Sequence, residues 1–95
     1  MLLGKIEKQP TDRQNYFVKY EEYLQEGELL LSALAQVDIV GELYVIGPVV
    51  MADDKTLEFW LEDGVDGVTY KLDITVTTTI GNVKQDEFKV KVKEV

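Results

Sequence analysis

Cysteine and histidine are absent from the 95 residues, proline occurs twice and tryptophan once. Without cysteine there is neither a disulfide framework nor thiolate chemistry, which fits a reducing compartment. Without histidine the usual general base at neutral pH and the commonest transition-metal ligand are both missing, so His-based serine and cysteine triads and most zinc sites are excluded. Long hydrophobic runs are missing as well. Met1-Leu2-Leu3-Gly4-Lys5 is followed by polar residues, which predicts neither a signal peptide nor a membrane span.

Positive charge is scarce. Ten Lys and Arg face eighteen Asp and Glu, for a net charge of −8, and residues 33–66 hold one cation against eight anions. A field of this sign repels phosphate backbones and anionic lipid, so neither nucleic acid nor a membrane is an expected partner. The apolar content of 45% suffices for one modest core in one small domain.

What the chain does have is period-2 alternation. Tyr70, Leu72, Ile74 and Val76 alternate with Lys71, Asp73, Thr75 and Thr77, and Phe88, Val90 and Val92 alternate with Lys89, Lys91 and Lys93. Such runs, rich in β-branched residues, predict antiparallel sheet with one covered face. Further strands are expected over 16–20, 29–40, 43–46 continuing or restarting at 49–51 after a bend or break at Gly47-Pro48, and 55–62 with Leu57, Phe59 and Leu61 on one side. Gly81-Asn82 between two such runs is a hairpin signal. Residues 21–37 are rich in helix formers, but Gly27 interrupts them, and a turn or one helical turn is expected near Glu21–Gly27. Residues 1–14, with Pro10, Asp12 and Arg13, read as an extended N-terminal arm or an irregular edge segment, and 15–95 as one domain. Six to seven strands without βα alternation predict an all-β, antiparallel, immunoglobulin-like sandwich.

Candidate site residues were weighed against structural roles. Tyr70, at the start of the longest strand, suits either a tyrosine corner bonding back to the loop before it or an ordinary core tyrosine. Gly27, Gly64, Gly67 and Gly81 are expected to serve turns. Asp53, Asp54, Asp63 and Asp66 lack the spacing of a calcium loop, and no carboxylate pair is spaced for acid/base work, so no metal, cofactor or catalytic residue is assigned. Tyr16, Tyr20 and Trp60 are candidate interface anchors. Lys89, Lys91 and Lys93 form a stripe that is either a solvated face deterring edge aggregation or a contact for an acidic neighbour. A sandwich module for a small ligand or carbohydrate is the alternative to an interaction protein.

Some residues follow a familiar order. Lys8-Gln9-Pro10-Thr11-Asp12-Arg13, Tyr16, Tyr20, Tyr23-Leu24-Gln25-Glu26-Gly27-Glu28, Phe59-Trp60-Leu61-Glu62-Asp63-Gly64, Gly67-Val68-Thr69-Tyr70 and Thr78-Thr79-Ile80-Gly81 together resemble the fiber-tail adaptor proteins of short-tailed phages. This chain has Tyr23 where members often carry Trp, Glu28 in place of Asp, and Asn82 in place of Arg. The resemblance implies a non-enzymatic, immunoglobulin-like virion protein of the tail or neck, made in the host cytoplasm. It would be present in repeated copies and join other phage structural proteins.

Overall fold

The strand Thr56–Asp63 shows why the chain folds as it does. Leu57, Phe59 and Leu61 are at most 1% exposed, while Glu58, Trp60 and Glu62 between them are half-buried on the other side. The computed structural model describes residues 2–95. In chain order the strands are β1 (Leu2–Lys8), β2 (Gln14–Lys19), β3 (Leu30–Val37), β4 (Leu43–Val50), β5 (Thr56–Asp63), β6 (Thr69–Thr78) and β7 (Val83–Val92).

They form two sheets, one ordered β1-β7-β6-β3 and the other β2-β5-β4. The pairings β2-β5-β4 and β3-β6-β7 follow the B-E-D and C-F-G order of a seven-stranded immunoglobulin sandwich, whereas β1 lies beside β7 instead of β2. Between the sheets, Leu57, Phe59 and Leu61 of β5 pack on Tyr70, Leu72, Ile74 and Val76 of β6 and Val90 and Val92 of β7. Each such side chain removed from water contributes about 1.5–3 kcal/mol toward offsetting chain entropy.

Some expectations hold and others are corrected. Residues 2–8 form an edge strand of the four-stranded sheet: β1 pairs in parallel with β7, from Leu2 opposite Glu87 to Lys8 opposite Val92. The ladder continues where the Lys93 amide donates to the Lys8 carbonyl at 2.9 Å. The sandwich is therefore not wholly antiparallel; Met1 lies outside the described residues. Of the two readings at Gly47-Pro48 the continuous strand holds: β4 runs through it with a register shift between Ile46 and Val49. As expected, the helix-forming letters after Gly27 are strand, over Leu30–Val37. Ala33, Ala35 and Val37 pack on the core at period 2, and tertiary burial overrides local propensity. What helical character exists is a single turn, where the Tyr23 and Leu24 amides both donate to the Tyr20 carbonyl. The β6–β7 hairpin is present and closes through Thr78 and Asn82.

Candidate interaction surface

Alternation along the three-stranded sheet dictates its outer face. Tyr16, Val18 and Tyr20 turn inward with β2, so Phe17 turns outward; Val45 turns inward with β4, so Tyr44 and Ile46 turn outward. The shift after Ile46 brings Val49 out opposite Glu58. The result is an apolar surface on a side normally left polar. Phe17, Tyr44, Ile46 and Val49 are 53%, 48%, 40% and 60% exposed.

Trp60 stands at the centre, paired with Asn15 on one side and Ile46 on the other. The Arg13 guanidinium lies 4.3 Å from the ring centroid, and Arg13 Nε donates to Glu62 Oε2 at 2.8 Å. The cation is held over the ring by a carboxylate from the same strand, which fixes the indole in one pose. Beside it Asn15 Nδ2 donates to Glu58 Oε2 at 3.1 Å.

The other expected anchors lie elsewhere. Tyr16 faces the core and stacks on Phe59 with ring centroids 5.6 Å apart. Tyr20 is 3% exposed. Burial, helped by the nearby Asp86 charge, pushes its phenol well above the usual tyrosine range. The Tyr20 ring is closed off by burial and Tyr16 is half-buried on the core side; Phe17 between them occupies the outward position. Sequence reading missed Phe17, Ile46 and Val49 because apolar letters in a strand look like core.

Lys89 and Lys91 point away from Trp60, on the outer side of the four-stranded sheet, and Lys93 is exposed just beyond the end of β7. Edge protection does not explain them, since β1 flanks β7. Asp53 and Asp54 sit in the turn before β5, while Asp63 and Asp66 lie at its far end, so the four carboxylates never converge. Among the described residues no group of three or more Asp or Glu is arranged to hold a metal ion.

Structural side chains close both ends of the sandwich. The Tyr70 hydroxyl accepts the Val65 amide at 2.8 Å and donates to Glu42 Oε1 at 2.7 Å. Gly64 and Gly67 flank that loop, and the Gly67 amide donates to the Val92 carbonyl at 2.8 Å. At the opposite end Glu28, only 2% exposed, accepts the Gln25 amide, the Thr78 hydroxyl and the Asn82 side-chain amide. The Gln25 amide foremost, then the Thr78 hydroxyl, holds its carboxyl below the usual range against the opposing effect of burial. Gly27 precedes it, and Gly81 donates to the Thr78 carbonyl at 3.0 Å. Glu28 was not singled out as a site residue, although its place two residues before an apolar strand was a usable signal.

The remaining buried charges are committed locally. Lys8 Nζ donates to the carbonyls of Gln9 and Asp63, and burial pulls its ammonium below the usual lysine range, with Asp12 and Asp63 opposing. Lys84 Nζ lies 3.2 Å from the fully buried Asp86 Oδ1. The arrangement thus offers an anchored apolar face and two tied ends.

No curated protein matches the chain. A family model described as "Podophage GP4 fiber-tail adaptor protein gp77" matches residues 8–91, from the end of β1 nearly to the end of β7. With that match over nearly its whole length, the chain belongs to the podophage fiber-tail adaptor family, whose name is that of a structural component of the phage tail.

Proposed function

We propose that this chain is a non-enzymatic connector in the tail or neck of the virion, joining neighbouring virion proteins through the outer face of its three-stranded sheet. One observation carries the reading: Phe17, Tyr44, Ile46 and Val49 are exposed on the same face as a clamped, half-buried Trp60, with Ile46 directly beside it and the others one row away, next to Glu58 and Glu62. Exposed apolar side chains gathered with a clamped aromatic and interspersed polar groups are the physical form of a protein interface. The negative charge disfavours nucleic acid and anionic membrane as partners, which leaves protein. Repeated copies set by virion symmetry would let many modest contacts sum. Assembly takes place in the host cytoplasm.

The test is mass spectrometry of purified particles combined with gold labelling. Stoichiometric protein at the tail is the expected result, and absence from particles would overturn the proposal.

A further inference from the structure

The register of the four-stranded sheet sets Lys5 of β1, Lys89 of β7 and Lys71 of β6 side by side across three adjacent strands. In the next outward row Lys91 lies between Glu7 and Thr69. All four lysines are exposed. Lys71 reaches Glu87 at 3.5 Å and Asp73 at 3.9 Å, but Lys5, Lys89 and Lys91 have no carboxylate within ion-pair distance among the described residues. Like charges directly opposite one another are unfavourable in a sheet. Lysines that guard against aggregation belong on edge strands, whereas β6 and β7 are the two inner strands of this sheet. Lys5 and Lys89 of this row, and Lys91 beside it, are thus left without a compensating carboxylate in the free chain.

The same chain carries the opposite charge at its other end. The Tyr20 amide donates to the Lys55 carbonyl at 2.9 Å and the Leu30 amide to the Asp54 carbonyl at 2.8 Å, which draws the 20–29 connection against the 51–55 turn. Glu21, Glu22, Glu26 and Asp54 are exposed there, with no cation within ion-pair distance among the described residues. A cleft of about 300 Å³ at this end is lined by Glu21, Glu26, Glu28 and Lys55 among others. Lys71 and Lys91 lie toward the opposite end, beside the β5–β6 connection, so one copy cannot satisfy its own row.

We propose that the basic row on the four-stranded sheet docks the acidic 20–29/51–55 end of a second copy of this chain. Because the two surfaces differ, the contact is heterologous: each copy offers its row to one neighbour and its acidic end to another, and the arrangement continues into a ring or a filament. This inference deepens the reading of the chain as a virion component present in repeated copies, and it leaves the Trp60 face free for a different protein.

The experiment is sedimentation velocity on the purified protein, from about 0.01 M salt, where the Debye length is about 30 Å, to about 1 M, where it is about 3 Å. The wild type is expected to associate at low salt, with the association constant falling at least roughly tenfold over that range. Two charge-reversed variants, Lys5→Glu/Lys89→Glu/Lys91→Glu and Glu21→Lys/Glu22→Lys/Glu26→Lys, should each be monomeric. An equimolar mixture of the two should associate again, since every contact in an alternating assembly regains opposite charge. The neutral variant Lys5→Gln/Lys89→Gln/Lys91→Gln removes the repulsive row, should fold at least as well as the wild type by thermal melting, and should also stay monomeric. A wild type that is monomeric at low salt, or an association that survives neutralisation of the row, overturns the proposal. Particle labelling is read separately, so loss of the virion assignment would leave this result standing.

Discussion

The Tyr70 hydroxyl is bonded to Glu42 Oε1 at 2.7 Å while accepting the Val65 amide, so one buried phenol ties the β3–β4 connection to the β5–β6 connection. Tyr70→Phe keeps the ring and removes only the oxygen, leaving the Val65 N–H and the Glu42 carboxylate without this partner. The expected loss is about 2 kcal/mol, because one of the two bonds is to a charged group. A urea titration should show a lower midpoint at unchanged slope. A midpoint equal to the wild type's would mean that water replaces the hydroxyl and the corner is not a stabilising device.

At the other end, Glu28 sets an acid limit. Its carboxyl is held below the usual range in the fold, so its contribution is fully present above the unfolded value near 4.5 and is lost as pH falls through the depressed folded value. Asp53, whose carboxylate accepts the Lys55 amide and the Thr56 amide and hydroxyl, shifts in the same direction. Stability should therefore drop between about pH 5 and 2. Glu28→Gln should be less stable at neutral pH and show a shallower drop, converging on the wild type in acid. Parallel pH curves for the two proteins would remove Glu28 from this role.

Two neighbouring glycines separate space from backbone strain. Gly64 has φ +106°, and a Cβ there would fall 2.7 Å from Val92 Cγ2; Gly67 has φ +84° with nothing within 4 Å. Gly67→Ala should cost about 1 kcal/mol for its left-handed backbone alone. Gly64→Ala adds overpacking against a fully buried valine and should cost about 3 kcal/mol in total. Thermal melts resolve the difference, since each kcal/mol moves the midpoint of so small a domain by about 4–8 °C. Equal shifts would show that Val92 gives way freely.

These ends were only partly legible in the sequence, and the reason is the same in each case. Leu57, Phe59 and Leu61, or Leu72, Ile74 and Val76, keep one character along one face, so alternation reveals both the strand and its core side. β1 fails that test because Lys8 occupies an inward position, and its parallel pairing with β7 joins distant parts of the chain, which no local pattern encodes. Glu28 and Asp86 are likewise charged letters at buried positions. The candidate face was hidden by the converse: Phe17, Ile46 and Val49 are core-like letters pointing into solvent, while the amphipathic Tyr16 and Tyr20 were read as surface rings and are turned inward. Period-2 reading finds a strand; it assigns the wrong side wherever a residue serves something other than the core.

Asp86 offers a test of such a buried charge. It is fully buried beside the Tyr20 hydroxyl, which has no hydrogen-bond partner among the described residues, and it is compensated by Lys84. Lys84→Met should leave an uncompensated carboxylate and cost about 3 kcal/mol or more, whereas Lys84→Met/Asp86→Leu should recover most of that loss. A double-mutant cycle in urea measures the coupling. Additive losses would mean that water, not Lys84, solvates Asp86.

Trp60 and Leu61 are neighbours on β5 with opposite duties, and substituting each in turn separates binding from folding. Leu61 is fully buried, so Leu61→Ala should cost about 2–5 kcal/mol of stability. Trp60 is half-buried and leans mainly on Arg13, a contact of about 0.5–1 kcal/mol, so Trp60→Ala should shift the urea midpoint only slightly. Its effect on incorporation should be far larger: losing a central aromatic anchor costs about 2 kcal/mol or more of binding, close to a 30-fold loss of affinity. The copy number of folded variant protein per particle, set against its urea midpoint, reads both quantities. If Trp60→Ala lowers stability as much as Leu61→Ala, the indole is part of the fold's support, and the apolar face would have to bind through Phe17, Tyr44, Ile46 and Val49 alone.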